Sequence, residues 1–237
     1  LLLLGVLAVG LYSANEVRAA ISFGSAGGVA VGTTSLSVGY PTGIAAGDLL
    51  ILAVSNKYPT NGPSTPTGWT LVTNGQASGG AGTANVDAGT VYATVFVKVA
   101  DGTETGNLSV TLTNGNSASG QILHYTNGAA SWNYAATSGS DNTSNTSWSV
   151  TGATTLDITT GDWLIVVSAI NADAATFLSE FVSATGATFG THTERTDAGT
   201  NRGDDSALVV SDHTVTGGTV TVAPVFTMTG SAASTTG

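Results

Sequence analysis

The side chains able to do chemistry in this 237-residue chain are few: three histidines, fifteen carboxylates, five basic groups and no cysteine. His124 stands in an apolar run beside Tyr125, the setting of a packed histidine. His192 and His213 are near Asp197, Asp204, Asp205 and Asp212 in sequence, yet no His-x-His or His-x-x-x-His spacing offers a zinc site. Asp204, Asp205 and Asp212 are the weak calcium candidates, since carboxylate oxygens suit that ion. The EF-hand spacing is missing, and a solvated acidic loop is the default. Glu104, Glu180, Glu194 and eleven aspartates show no pair spaced for glycosidic acid–base work, because most aspartates fall in turn-like contexts. No Gly-x-Ser-x-Gly elbow is present, and Gly79-Gly80-Ala81-Gly82 lacks the Lys-Ser/Thr of a phosphate loop. Arg202-Gly203-Asp204 spells a tripeptide of integrin ligands, but three letters in a Gly-rich acidic loop arise cheaply. The expectation is no catalytic residue, no cofactor and no enzyme activity.

Aromatic side chains are the remaining candidates for ligand contact. Trp132 and Tyr134 flank a Ser/Thr/Asn-rich stretch, and Tyr58 sits in a Pro/Gly loop. Exposed rings of this kind can stack on sugars. Packing between neighbouring elements is the plainer reading of Trp132 and Tyr134. Trp69 and Trp163 lie in strand patterns and are expected in the core.

These residues must be carried by strands. Charged residues make up 8% of the chain against roughly 25% in ordinary globular proteins, while 41% is apolar. Threonine alone, at 39, outnumbers all charged residues together. Five basic groups and a net charge of -10 cannot neutralise a phosphate backbone, so nucleic acid is excluded as a partner. Anionic lipid is disfavoured for the same reason. Strand patterns recur at 49–54, 69–73, 91–99, 108–113, 121–125, 163–168, 208–213 and 220–227, divided by Gly, Asn, Thr and Pro clusters. Segment 174–184 comes closest to a helical period and is expected to form a short helix or turn. Residues 49–54 and 163–167 are apolar at both parities, which predicts central strands covered on both faces. Residues 91–99 read as half-buried, with one wetter face.

The first residues, 1–14, form an apolar run, and Val17 and Ala19 stand at -3 and -1 of a cleavage site before Ala20. A secretory signal peptide is therefore expected over 1–19. A truncated pilin-type helix is its competitor.

Two segments of the chain repeat one another. Ser35-Leu36-Ser37-Val38, Ile44 and Gly47-Asp48-Leu49-Leu50-Ile51 match Ser147-Trp148-Ser149-Val150, Ile158 and Gly161-Asp162-Trp163-Leu164-Ile165. Gly106 to Val110 matches Gly218 to Val222, and Ser117-Ala118-Ser119 is similar to Ala232-Ala233-Ser234. The expected organisation is a first β half over 20–128, a Ser/Thr/Asn-rich link over 129–146, and a second β half over 147–237. That second half lacks a counterpart of strand 121–125. Residues 220–227 are expected to border the gap as an exposed edge that invites self-association.

Ala46-Gly47-Asp48-Leu49-Leu50, Thr65-Pro66-Thr67-Gly68-Trp69-Thr70-Leu71 and Val95 to Gly102 together resemble Gly/Thr-rich duplicated β-sandwich modules of bacterial exported surface proteins and phage tail-associated proteins. The resemblance covers about residues 39–237 and implies a fold and a setting, without an activity. One departure is Phe189-Gly190-Thr191, which stands where the second half should repeat Pro-x-Gly-Trp. The fold class expected is all-β, an antiparallel β-sandwich of jelly-roll type built from two similar halves. Three functions remain open: a non-catalytic structural or adhesive module, secreted or at the cell surface; a carbohydrate- or receptor-binding module, lectin-like or tail-fibre-like; and a subunit of an extracellular filament or pilus. The corresponding partners are glycans, other surface proteins or further copies, with no membrane contact in the mature form.

Overall fold

Alternation along two strands sets the architecture. In the computed structural model, β5 (Leu49–Lys57) buries Leu49, Ile51 and Ala53 on one face and Leu50, Leu52 and Val54 on the other. β13 (Trp163–Ile170) does the same with Ile165, Val167 and Ala169 against Leu164, Val166 and Ile170. A strand with two apolar faces needs a cover on each side, and the chain supplies both. The structure describes residues 4–13 as backbone, together with 20–57, 62–79, 90–113, 117–128, 131–141, 147–170, 177–200 and 206–230.

The described residues form strands and no helix, and every strand pairing is antiparallel. The first large sheet runs β2 (Ser22–Ala26) and β3 (Ala30–Gly32), β9 (Ser117–Thr126), β5, β7 (Val91–Val99), β6 (Thr70–Gly79). The second runs β10 (Trp132–Asp141), β1 (Leu4–Ser13), β13, β17 (Ala207–Gly217), with β15 (Thr188–Phe189) and β16 (Thr193–Gly199) both on β17. These sheets share the central core, to which Leu49, Ile51 and Val95 come from one and Ile165, Val167 and Leu208 from the other. Outside the first lies β4 (Ser35–Gly39) with β8 (Asn107–Thr111), which presents Leu36, Val38 and Val110. Outside the second lie β12 (Leu156–Thr159) with β18 (Thr219–Val222), and a sheet ordered β11 (Ser147–Thr151), β19 (Val225–Gly230), β14 (Phe177–Ser183). The described residues thus form an all-β stack of four layers with three apolar interfaces.

Both central strands start from the same turn. Gly47 and Gly161 hold φ of 95° and 93°, a left-handed conformation that suits glycine. The next residue's carboxylate accepts a backbone N–H three residues back: Ala45 N to Asp48 Oδ2 and Thr159 N to Asp162 Oδ2, each 2.7 Å. Gly47 N donates to Ala100 O and Gly161 N to Val215 O, both at 2.9 Å.

Several expectations are corrected by this arrangement. β7 is buried on both faces from Val91 to Val97, because the outer β4–β8 layer covers Phe96 as the shared core covers Val95. The segment expected to be helical contains edge strand β14, in which Glu180 and Val182 are buried while Ser179, Phe181 and Ser183 are exposed, a period of two. Residues 220–227 are not one exposed edge strand. They divide between β18, paired to β12, and β19, central in its three-stranded sheet, with Pro224 in the break where no ladder N–H is needed. The match of Ser35–Val38 to Ser147–Val150 is not a match of pairing: β4 pairs with β8, whereas β18 takes β12, and β11 pairs with β19. Apart from these corrections, β10 occupies 132–141 of the Ser/Thr/Asn-rich stretch, and β1 at residues 4–13 pairs with both β10 and β13.

Candidate functional site

The charged groups at the centre of the stack are consumed in packing. Asp212 on β17 is buried and accepts from Arg195 on β16, Nε to Oδ2 at 2.6 Å and Nη2 to Oδ1 at 3.1 Å. Its Oδ2 also accepts from Tyr125 Oη, 3.0 Å away in the opposite sheet. Arg195 lies 3.7 Å above the ring of Phe23, so the cluster ties both large sheets together. Burial, then the Asp212 charge, drives the Tyr125 phenol well above its usual range. Asp212 is therefore a cross-layer acceptor, its oxygens engaged by Arg195 and Tyr125. Asp204 and Asp205, with the Arg202-Gly203-Asp204 tripeptide, lie outside the described residues. Among the described residues no cluster of three His, Asp or Glu side chains could hold a metal ion.

His124 is the packed histidine its sequence context predicts, with Nε2 2.7 Å from Asp48 Oδ2. Near it, Lys98 Nζ lies 2.8 Å from Glu104 Oε1, whose carboxylate also accepts the N–H groups of Asp101 and Gly102 at 2.9 Å each. The bond to Glu104 raises the Lys98 pKa, as expected of a structural clamp.

Two of the aromatic candidates, Trp132 and Tyr134, take part in packing. Trp132 donates its indole N–H to Gly47 O at 2.8 Å and packs, with Tyr134, against the central core. Tyr134 borders a recess of about 180 Å³ beside Val72 and Asn74. Trp69 is buried, and Trp163 meets Tyr125 edge-on at 5.8 Å. Tyr58 lies outside the described residues.

A different place carries unspent polar chemistry. Between β14, β15 and β17 the second sandwich opens into a groove of about 480 Å³, lined by Phe181, Phe189, His192 and His213 among others. Phe181 is 64% exposed, the most exposed large apolar side chain among the described residues. His213 is 3% exposed, and its Nε2 has no hydrogen-bond partner. The His192 and His213 rings lie 5.3 Å apart, and Phe189 meets His213 edge-on at 6.4 Å. Glu180, buried on β14, faces His192 with Oε2 3.5 Å from Nε2, and neither carboxylate oxygen makes a hydrogen bond. The Glu180 carboxylate raises the His192 pKa against the opposing effect of burial. Burial, with His192 adding to it, lowers His213 to about 4, so at neutral pH that ring is uncharged.

This groove was half legible in the sequence. The two histidines were singled out, but with aspartates as partners. Phe181 and Glu180 were hidden by the helical reading of their segment, although the alternation Ser179, Glu180, Phe181, Val182, Ser183 carried the strand signal. No family model, curated protein or solved structure matches this chain.

Proposed function

We propose that this chain is a non-catalytic adhesive module of an exported surface protein, and that it makes contact through the Phe181–His213 groove with a hydroxyl-rich ligand, a pyranose unit of a glycan. The observation that carries the proposal is an aromatic wall beside a deeply buried histidine nitrogen that lacks a partner. A buried polar atom left unmade costs free energy, on the order of 1–3 kcal/mol, and a ligand hydroxyl removes that cost. The apolar face of a sugar ring fits against Phe181. A carboxylate engaged by His192 suits binding better than hydrolysis, which uses two free carboxyl groups across the scissile bond. The four-layer stack supports the structural side of this role by holding the groove on paired strands. The export setting rests on the apolar N-terminal run and on the resemblance of the repeated motifs.

The proposal is tested by saturation-transfer NMR with a panel of methyl pyranosides, followed by a glycan array. Binding by the intact chain should be lost in Phe181→Ala and His213→Ala and retained in Tyr134→Phe. Phe181→Ala should keep the parent Tm, because its side chain is mostly exposed. No saturation transfer from any pyranoside, or binding indifferent to Phe181 and His213, overturns the reading.

A further inference from the structure

β1 and β9 hold one and the same place in their sheets. Tyr125 of β9 lies opposite Leu49, two residues after Gly47, and Leu11 of β1 lies opposite Trp163, two residues after Gly161. β9 is paired on its other edge by β2 and β3, and β1 by β10 along its whole length, from Leu4 opposite Asp141 to Ser13 opposite Trp132. The difference is one of chain order. β9 follows its hosts β2, β3 and β5 in sequence, whereas β1 precedes the entire first half and reaches hosts that follow it.

The same ten residues belong to the segment whose sequence reads as a cleavable leader. A mature chain beginning at Ala20 would keep β10 and β13 and lose the strand between them. Two facing rows of backbone N–H and C=O groups would then stand open, each wanting a ladder partner. Their chemistry selects what can enter. β13 carries no charge and β10 only Asp141, at its far end, so a charged strand would bury ions without partners. Leu4–Ser13 has neither charge nor proline.

We propose that the slot between β10 and β13 is a strand-acceptor site, and that its partner is an extended, uncharged, largely aliphatic segment of about ten residues on another polypeptide chain. The incoming strand runs antiparallel to both hosts, in the register of Leu4 to Ser13, and spans about 33 Å. This acceptor is separate from the groove: His213 and Phe181 take no part in it, and either assignment can fail without the other.

The test starts from the full chain with a protease site placed within residues 14–19, cut after folding so that β1 is severed. The cut protein is unfolded in denaturant and refolded with excess fluorescent decapeptide of the Leu4–Ser13 sequence, carrying a lysine tail for solubility. A control decapeptide bears Val6→Asp and Val9→Asp. The expected result is one labelled peptide per chain, the Tm of the uncut protein, and no uptake of the control. A chain starting at Ala20 should gain Tm with the same peptide and self-associate without it. Refolding to the parent Tm with no bound peptide, equal uptake of the charged control, or failure to refold with any peptide overturns the proposal.

Discussion

Asp212 is where the two large sheets meet through polar atoms, and its surroundings fix what its loss should do. Arg195 and Tyr125 both spend their hydrogen bonds on it. Asp212→Ala strands a partly buried guanidinium and a fully buried phenol, and breaking a buried pair from one side costs about 3–5 kcal/mol. The expected outcome is a fall in urea midpoint at unchanged m-value; a loss below about 1 kcal/mol would mean that water replaces the carboxylate. The groove makes a second prediction at this scale. His213 has a folded pKa of about 4 against 6.5 in the unfolded chain. The unfolded state binds its proton first, so stability falls as pH drops from 6.5 towards 4, by on the order of 2–3 kcal/mol in total. His192, raised by Glu180, acts in the opposite sense: its contribution is full below the ordinary histidine pKa and fades as pH rises through the folded value. His213→Gln should flatten the acid side of a Tm–pH curve while leaving the alkaline side alone. An unaltered acid slope would place the titrating group elsewhere.

At the scale of elements, the strands the sequence made plainest are those with the most burial to explain. The double-parity runs of β5 and β13 predicted cover on both faces, and the three interfaces supply it. Ile51→Ala and Ile165→Ala, on facing strands of one core, should each cost about 2–5 kcal/mol through lost transfer energy and a cavity that rigid sheets cannot collapse. A cost below about 1 kcal/mol in either would contradict the shared interface, and denaturant titration decides it. Elements were misread where the covering layer lay far off in sequence. Phe96 looks wet in β7 only until β8 and β4 are laid over it, and nothing within 91–99 announces that layer. Polar side chains were buried by specific partners for the same reason, as when Gln76 donates to Thr94 at 3.1 Å across the bulge of β6. Pairing register was less legible than strand existence. Ser35–Val38 and Ser147–Val150 spell alike, but the partner of each is set by strands seventy or more residues away. The groove escaped for a related reason, since it is assembled from β14, β15 and β17 and has no local motif.

For the molecule as a whole, the two halves that the repeats suggest are not independent in space. One continuous core takes Leu49, Ile51 and Val95 from one half and Ile165, Val167 and Leu208 from the other. Tyr125 to Asp212 and Trp132 to Gly47 add polar ties across the same divide. A sandwich able to fold alone would keep a polar outer face on its large sheet. Here that face is aliphatic, so separation exposes a patch of the kind that drives aggregation. The halves should therefore unfold together, in a single calorimetric transition whose van't Hoff and calorimetric enthalpies agree. Asp212→Ala should move that transition to lower temperature without splitting it, because it weakens the interface and the core of the same unit. Residues 20–128 produced alone should be insoluble or bind a dye for exposed apolar surface, and adding the complementary half should reverse this. Two transitions in the parent, of which only one responds to Asp212→Ala, would show that each sandwich folds by itself and that the central interface is a contact between finished domains.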